Sequence, residues 1–133
     1  MNTNDNMTRL KLLQWACQFS HQLPSNRRDL CYDTSKRAFK ELTHIGWQVT
    51  LVYAEQGDGF PHWFLTIKVD NEVILLDFTA SQFSNWIYPP VCLGTYKQLS
   101  SRFRRYGKQP FWKILGTDAQ TYQESWQKKY GFN

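Results

Sequence analysis

His62-Trp-Phe-Leu-Thr-Ile-Lys-Val-Asp-Asn-Glu-Val-Ile-Leu-Leu-Asp-Phe-Thr79 is the stretch whose reading decides the fold. Asp70-Asn71 suits a tight two-residue turn, and the β-branched and aromatic residues on either side read as strands over about His62 to Val69 and Glu72 to Phe78. Joining Val69 to Glu72 across the turn sets Ile67 against Ile74, Leu65 against Leu76 and Trp63 against Phe78, so one face of the hairpin is entirely apolar. Burial of that face fixes the register. The opposite face carries His62, Phe64, Thr66 and Lys68 beside Val73, Leu75, Asp77 and Thr79. Asp77 then lies opposite Phe64 and diagonal to His62, at a separation of about 7 to 8 Å that the two side chains can close to a hydrogen bond.

Upstream, Trp47 to Ala54 alternates with period two and predicts another strand, followed by the loop Glu55 to Phe60 with Gly57 and Gly59. Before it come two helices. The first runs from Thr8 to about Leu23, with Leu10, Leu13, Cys17 and Ser20 at helical steps beside Leu12, Ala16 and Phe19, and ends before Pro24. Pro24 to Asp29 reads as a polar connection. The second helix runs from about Leu30 to Ile45, with Cys31, Ser35, Ala38, Leu42 and Ile45 on one face, Asp29 as a cap and Gly46 as a stop. Downstream, Val91 to Leu93 reads as a short strand, Tyr96 to Tyr106 as a helix or an extended basic segment, and Thr117 to Tyr130 as a further helix.

A carboxylate that holds an imidazole nitrogen fixes the tautomer and stabilises the imidazolium, which suits His62 to act as a general base. The matching nucleophile is Cys31. A thiol in the first turn of a helix feels the positive end of the helix dipole, and a nearby imidazolium favours the thiolate further. The hairpin face bearing Phe64, Val73 and Leu75 needs a cover, and the Cys31–Ile45 stripe is expected to supply it, bringing Cys31 close to His62. Taken singly these residues have plainer readings: a core cysteine, a satisfied histidine, an acid paired with Lys68 or Arg37. Their convergence is what points to chemistry.

The chain has 133 residues, enough for a single domain, and its 41% hydrophobic and 20% charged content is that of a folding sequence. Residues 1–7 read as a flexible tail. The net charge of +5 permits nucleic acid, anionic lipid or an acidic protein as partner. Three cysteines, an odd number, predict reduced thiols and a cytoplasmic setting, and no apolar run is long enough to span a membrane. Cys17 and His21 lie four apart, but no second pair completes a zinc site, so neither metal nor cofactor is expected. Arg102-Phe-Arg-Arg-Tyr-Gly-Lys108 interleaves cations with rings, as single-strand binders do, yet one short basic run more often forms a solvated face or a partner contact.

Cys31 opening a helix with Ala38, Leu42 and Gly46 downstream, a His-Trp pair starting one strand, and Asp77-Phe-Thr-Ala-Ser-Gln-Phe83 ending the next resemble the papain-fold toxin domains of bacterial polymorphic toxin systems. The similarity covers about Asp29 to Phe83. It implies an α+β, papain-like fold in which N-terminal helices, one bearing the cysteine, pack on an antiparallel sheet. It also implies a Cys31–His62–Asp77 triad acting on a protein substrate, delivery into a target cell, and an immunity protein that would be acidic to suit this basic chain. Papain-like peptidases carry a glutamine six residues before the cysteine for the oxyanion hole; here Ser25 stands in that place. Asn26 is the candidate replacement, with Gln22 or the backbone N–H of Cys31 as alternatives. The departure favours protein-glutamine deamidation over peptide cleavage. The competing readings are a catalytically inactive papain-like binding module and a basic nucleic-acid-binding domain built on Arg102 to Lys108.

Overall fold

The computed structural model describes residues 8–27, 30–55, 61–80, 89–104 and 113–116. Within them the chain is mixed α+β: helices α1 (Arg9–His21) and α2 (Cys31–Ile45), strands β1 (Gln48–Glu55), β2 (Pro61–Val69), β3 (Glu72–Asp77) and β4 (Cys92–Thr95), helix α3 (Tyr96–Arg104) and strand β5 (Lys113–Gly116). The strands form one antiparallel sheet in the order β4-β3-β2-β1-β5. The expected helix over Thr117 to Tyr130, the glycine loop before Pro61, Gln82 and the tail at 1–7 lie outside the described residues.

The hairpin takes the register that burial demanded, with Leu65 opposite Leu76, Ile67 opposite Ile74 and Val69 opposite Glu72. Asp70 adopts φ 56°, the left-handed conformation that aspartate tolerates and that closes a two-residue turn. Leu65, Ile67, Ile74, Leu76 and Phe78 meet Leu12, Ala16 and Phe19 of α1 and Ala38 and Leu42 of α2 in one core. Each such leucine or isoleucine, fully buried, contributes about 1.5 to 3 kcal/mol.

Helix α1 begins where Thr8 Oγ1 accepts the Lys11 N–H at 3.1 Å. It buries Leu12, Ala16, Phe19 and Ser20, whereas Leu10, Leu13 and Cys17 of the alternative row face solvent. The winning row places Phe19 against Phe78 and stacks it on Trp15. Helix α2 ends as expected, with Gly46 at φ 118° and the N–H groups of Gly46 and Trp47 bonded back to Thr43 and Leu42. Its buried stripe is Cys31, Thr34, Ser35, Ala38 and Leu42, while Ile45 is exposed. The N-cap position is Leu30, which makes no side-chain cap bond, and Asp29, the expected cap, lies outside the described residues.

Two further expectations are corrected. The α2 stripe packs, together with α1, on the hairpin face of Leu65, Ile67, Ile74 and Leu76, and does not cover the face of His62 and Asp77. That second face is covered by α3, whose Leu99 joins Val52, Ala54, Phe64, Leu75, Ala80 and Cys92 in a separate core. The more apolar face recruits the two longer helices because it returns more buried area. The connection read as polar also hides a cation: Arg27 is buried.

Candidate active site

Sheet pairing positions His62. It is opposite Ala54 on β1, and its ring stacks on Phe64, two residues along the same face, with centroids 5.8 Å apart. The β2–β3 ladder ends at Leu65–Leu76, so His62 and Asp77 lie beyond its last paired rung. There His62 Nε2–H donates to Asp77 Oδ2 at 2.5 Å, both side chains being buried. The hydrogen bond that the hairpin reading allowed between these two side chains is observed, past the end of the ladder.

Asp77 is held from its other side. Its Oδ1 accepts the Thr79 N–H at 2.9 Å and lies 3.5 Å from the Thr79 hydroxyl, so each carboxylate oxygen has its own donor. This arrangement gives the Asp-x-Thr spacing a physical meaning: the chain turns just enough after Asp77 for the residue two places on to orient the carboxylate.

Cys31 opens α2, and the electrostatic influence of its sulfur reaches the His62 ring, whose pKa it helps to raise. With Nε2 committed to Asp77, proton exchange with the sulfur falls to Nδ1. The thiol packs against Trp63, with Tyr32, Leu51 and Tyr53 around it, and Tyr32 meets Trp63 edge to face at 5.7 Å. Trp63 is thus on the core side as the parity requires, although its ring partner is Tyr32 while Phe78 packs under α1. Ser35, one turn beyond Cys31, donates its hydroxyl to the Trp63 carbonyl at 3.0 Å and locks the helix to the strand that carries His62.

Burial alone would lower the His62 pKa. The Asp77 charge and hydrogen bond, joined by those of Cys31, reverse that effect and raise it from 6.5 to about 9. An imidazolium is therefore favoured at neutral pH, beside a sulfur at a helix N-terminus. His62 is 0% exposed and Asp77 1%, against 8% for Cys31, so Cys31 is the least buried of the three.

The remaining sequence candidates are placed as follows. Asn26 and Ser25 are exposed in the connection before α2. Gln22 lies on the outer surface, where its Oε1 accepts from Arg37 Nη2 at 2.6 Å. Leu30, the N-cap of α2, makes no side-chain cap bond, and the backbone N–H groups of a helix's first turn are donors that intrahelical bonding leaves over. Cys92 is buried opposite Asp77, and burial, reinforced by the Asp77 charge against an opposing effect of Arg102, pushes its thiol well above the ordinary range. It stays protonated and is no competitor for the nucleophile's role. Among the described residues, no group of three or more His, Cys, Asp or Glu could hold a metal ion, and no helix is long and apolar enough to cross a membrane.

No family model, curated protein or solved structure matches the chain.

Proposed function

We propose that the chain is a papain-like cysteine enzyme that transfers acyl groups from a protein substrate, with Cys31 as nucleophile, His62 as acid and base, and Asp77 as the residue that orients His62. The observation that carries this reading is one imidazole bonded to Asp77 through Nε2 while interacting with the sulfur of Cys31 at a helix start.

In the proposed cycle the Cys31 thiolate attacks a carboxamide or peptide carbonyl carbon, and the negative oxygen that develops is held by backbone N–H groups of the first turn of α2. His62 Nδ1 gives its proton to the departing nitrogen, releasing ammonia or an amine and leaving a thioester on Cys31. Neutral His62 next takes a proton from water, the hydroxide attacks the thioester, and the free carboxylic acid departs as the thiolate–imidazolium pair is restored. Deamidation of glutamine and cleavage of a peptide share each step and differ in the leaving group. Ser25 in place of the peptidase glutamine favours deamidation. The resemblance further supports a bacterial toxin or effector with an acidic immunity protein as its partner.

The test is mass spectrometry of cell proteins exposed to the wild type and to Cys31→Ala. A gain of about 1 Da at glutamine identifies deamidation, and new chain termini identify cleavage. Identical protein pools from the two would remove the enzymatic reading and favour a binding module.

A further inference from the structure

We propose that Arg27 is the positioning residue of this site: one buried guanidinium joins the segment that delivers Cys31 to the strand end that delivers Asp77. The inference rests on the acyl-transfer reading above and adds a residue to it.

Arg27 is 6% exposed. Its Nε donates to the Pro24 carbonyl at 3.0 Å, within its own connection. Nη2 donates to the Ser20 carbonyl at 3.0 Å and to the Ser20 hydroxyl at 2.9 Å, at the end of α1. Nη1 donates to the Phe78 carbonyl at 2.9 Å and to the Pro90 carbonyl at 2.7 Å. Phe78 is the residue after Asp77, and Pro90 precedes by two the Cys92 that pairs with Asp77. The backbone of Arg27 acts at the other end, because its carbonyl accepts from the N–H of Leu30, the N-cap of the helix that Cys31 opens. Asp77 and Cys31 are therefore both referenced to this residue, while β1 fixes His62 independently.

All five side-chain bonds go to neutral oxygens of four residues on three separate segments. A guanidinium suits this task, since its N–H groups lie in one rigid plane, whereas an ammonium is a single point with three rotating donors. Among the described residues Arg27 has no carboxylate partner; burying a cation in this way is costly, and desolvation lowers the Arg27 pKa. An apolar residue would fill the space at less expense, so the hydrogen-bond geometry is what the cation contributes.

The test measures the iodoacetamide reaction of Cys31 at pH 6, peptide by peptide, with exposed Cys17 of the same chain as internal reference. It is run on wild type, Arg27→Lys and Arg27→Ala at a temperature where melting curves show each fully folded. Wild-type Cys31 should react at least about tenfold faster than Cys17, and both variants should lose about tenfold of that rate. Guanidinium chloride at tens of millimolar should restore Cys31 in Arg27→Ala, while equal sodium chloride should not. A merely structural Arg27 would lower the melting temperature and leave the rate of the folded protein unchanged, which overturns the proposal alone. Failure of both variants to fold also overturns it, since the residue would then serve the whole fold. A wild-type Cys31 no faster than Cys17 defeats the acyl-transfer reading itself and the role of Arg27 with it.

Discussion

Thr79 holds Asp77 by the carboxylate oxygen that His62 does not use: its backbone N–H lies 2.9 Å from Oδ1, while His62 Nε2 lies 2.5 Å from Oδ2. The carboxylate is thereby fixed in rotation and in charge. Asp77→Asn keeps an oxygen for Thr79 but turns an amide or a neutral carbonyl toward the imidazole. Removing a charge-assisted bond from a buried pair should cost about 1.5 to 3 kcal/mol of stability in denaturant titrations. The catalytic rate should fall on the order of 100-fold or more, because His62 is no longer stabilised as a cation. Unchanged activity in a folded Asp77→Asn protein would remove the acid from the mechanism.

The raised pKa of His62, about 9 against 6.5 for the free side chain, also sets a pH dependence of stability. A group that binds its proton more tightly when folded contributes fully below about pH 6.5, and that contribution is lost as pH climbs through about 9. The stability difference between wild type and His62→Gln should therefore be greatest near pH 6 and narrow steadily toward pH 10. Cys31→Ser should lower the His62 midpoint seen by NMR, since the sulfur is one of the groups that raise it. A midpoint unmoved by that substitution would mean that thiol and imidazole do not interact in solution.

The hairpin and its diagonal His62–Asp77 pair were legible because a period of two and a two-residue turn leave a single register that buries every apolar side chain. The side chosen by α2 was not legible. Both faces of the hairpin carry apolar residues, and the competitor for the second face is α3, which places Leu99 on that core from a largely polar segment. Strand β5 has four residues and no room for a period. Arg27 stands in a run of polar residues after a proline, where an arginine ordinarily faces water, and nothing in its neighbours announces five internal acceptors. Cys31 still influences His62 despite the different helix placement, because His62 lies past the end of the β2–β3 ladder.

Gly116 on β5 lies under the ring tip of Tyr53. A Cβ there would fall 2.7 Å from the Tyr53 hydroxyl oxygen and 3.0 Å from Cζ, so Gly116→Ala must displace the ring. Overpacking of this kind costs about 1 to 3 kcal/mol. Tyr53 also packs against the Cys31–Trp63 cluster, so the displacement should be felt in the alkylation rate of Cys31. Combining Gly116→Ala with Tyr53→Leu should recover much of the stability loss, a non-additivity that a thermodynamic cycle measures. Simple additivity would show that the ring does not constrain position 116.

Ser35 sits one turn after Cys31, and its hydroxyl bonds the carbonyl of Trp63, the residue after His62. This bond joins the helix that Cys31 opens to the strand that carries His62. Ser35→Ala removes it without adding volume, so the expected stability loss is about 1 kcal/mol, the usual net worth of a buried neutral hydrogen bond. If the bond also sets the approach of sulfur to imidazole, the alkylation of Cys31 at pH 6 should slow several-fold in the folded variant, while exposed Cys17 is unaffected. Ser35→Thr retains a hydroxyl and should preserve the rate even where its extra methyl lowers stability. Loss of stability in Ser35→Ala with an unchanged Cys31 rate would separate the helix–strand bond from the chemistry and leave the contact to Arg27 and the sheet.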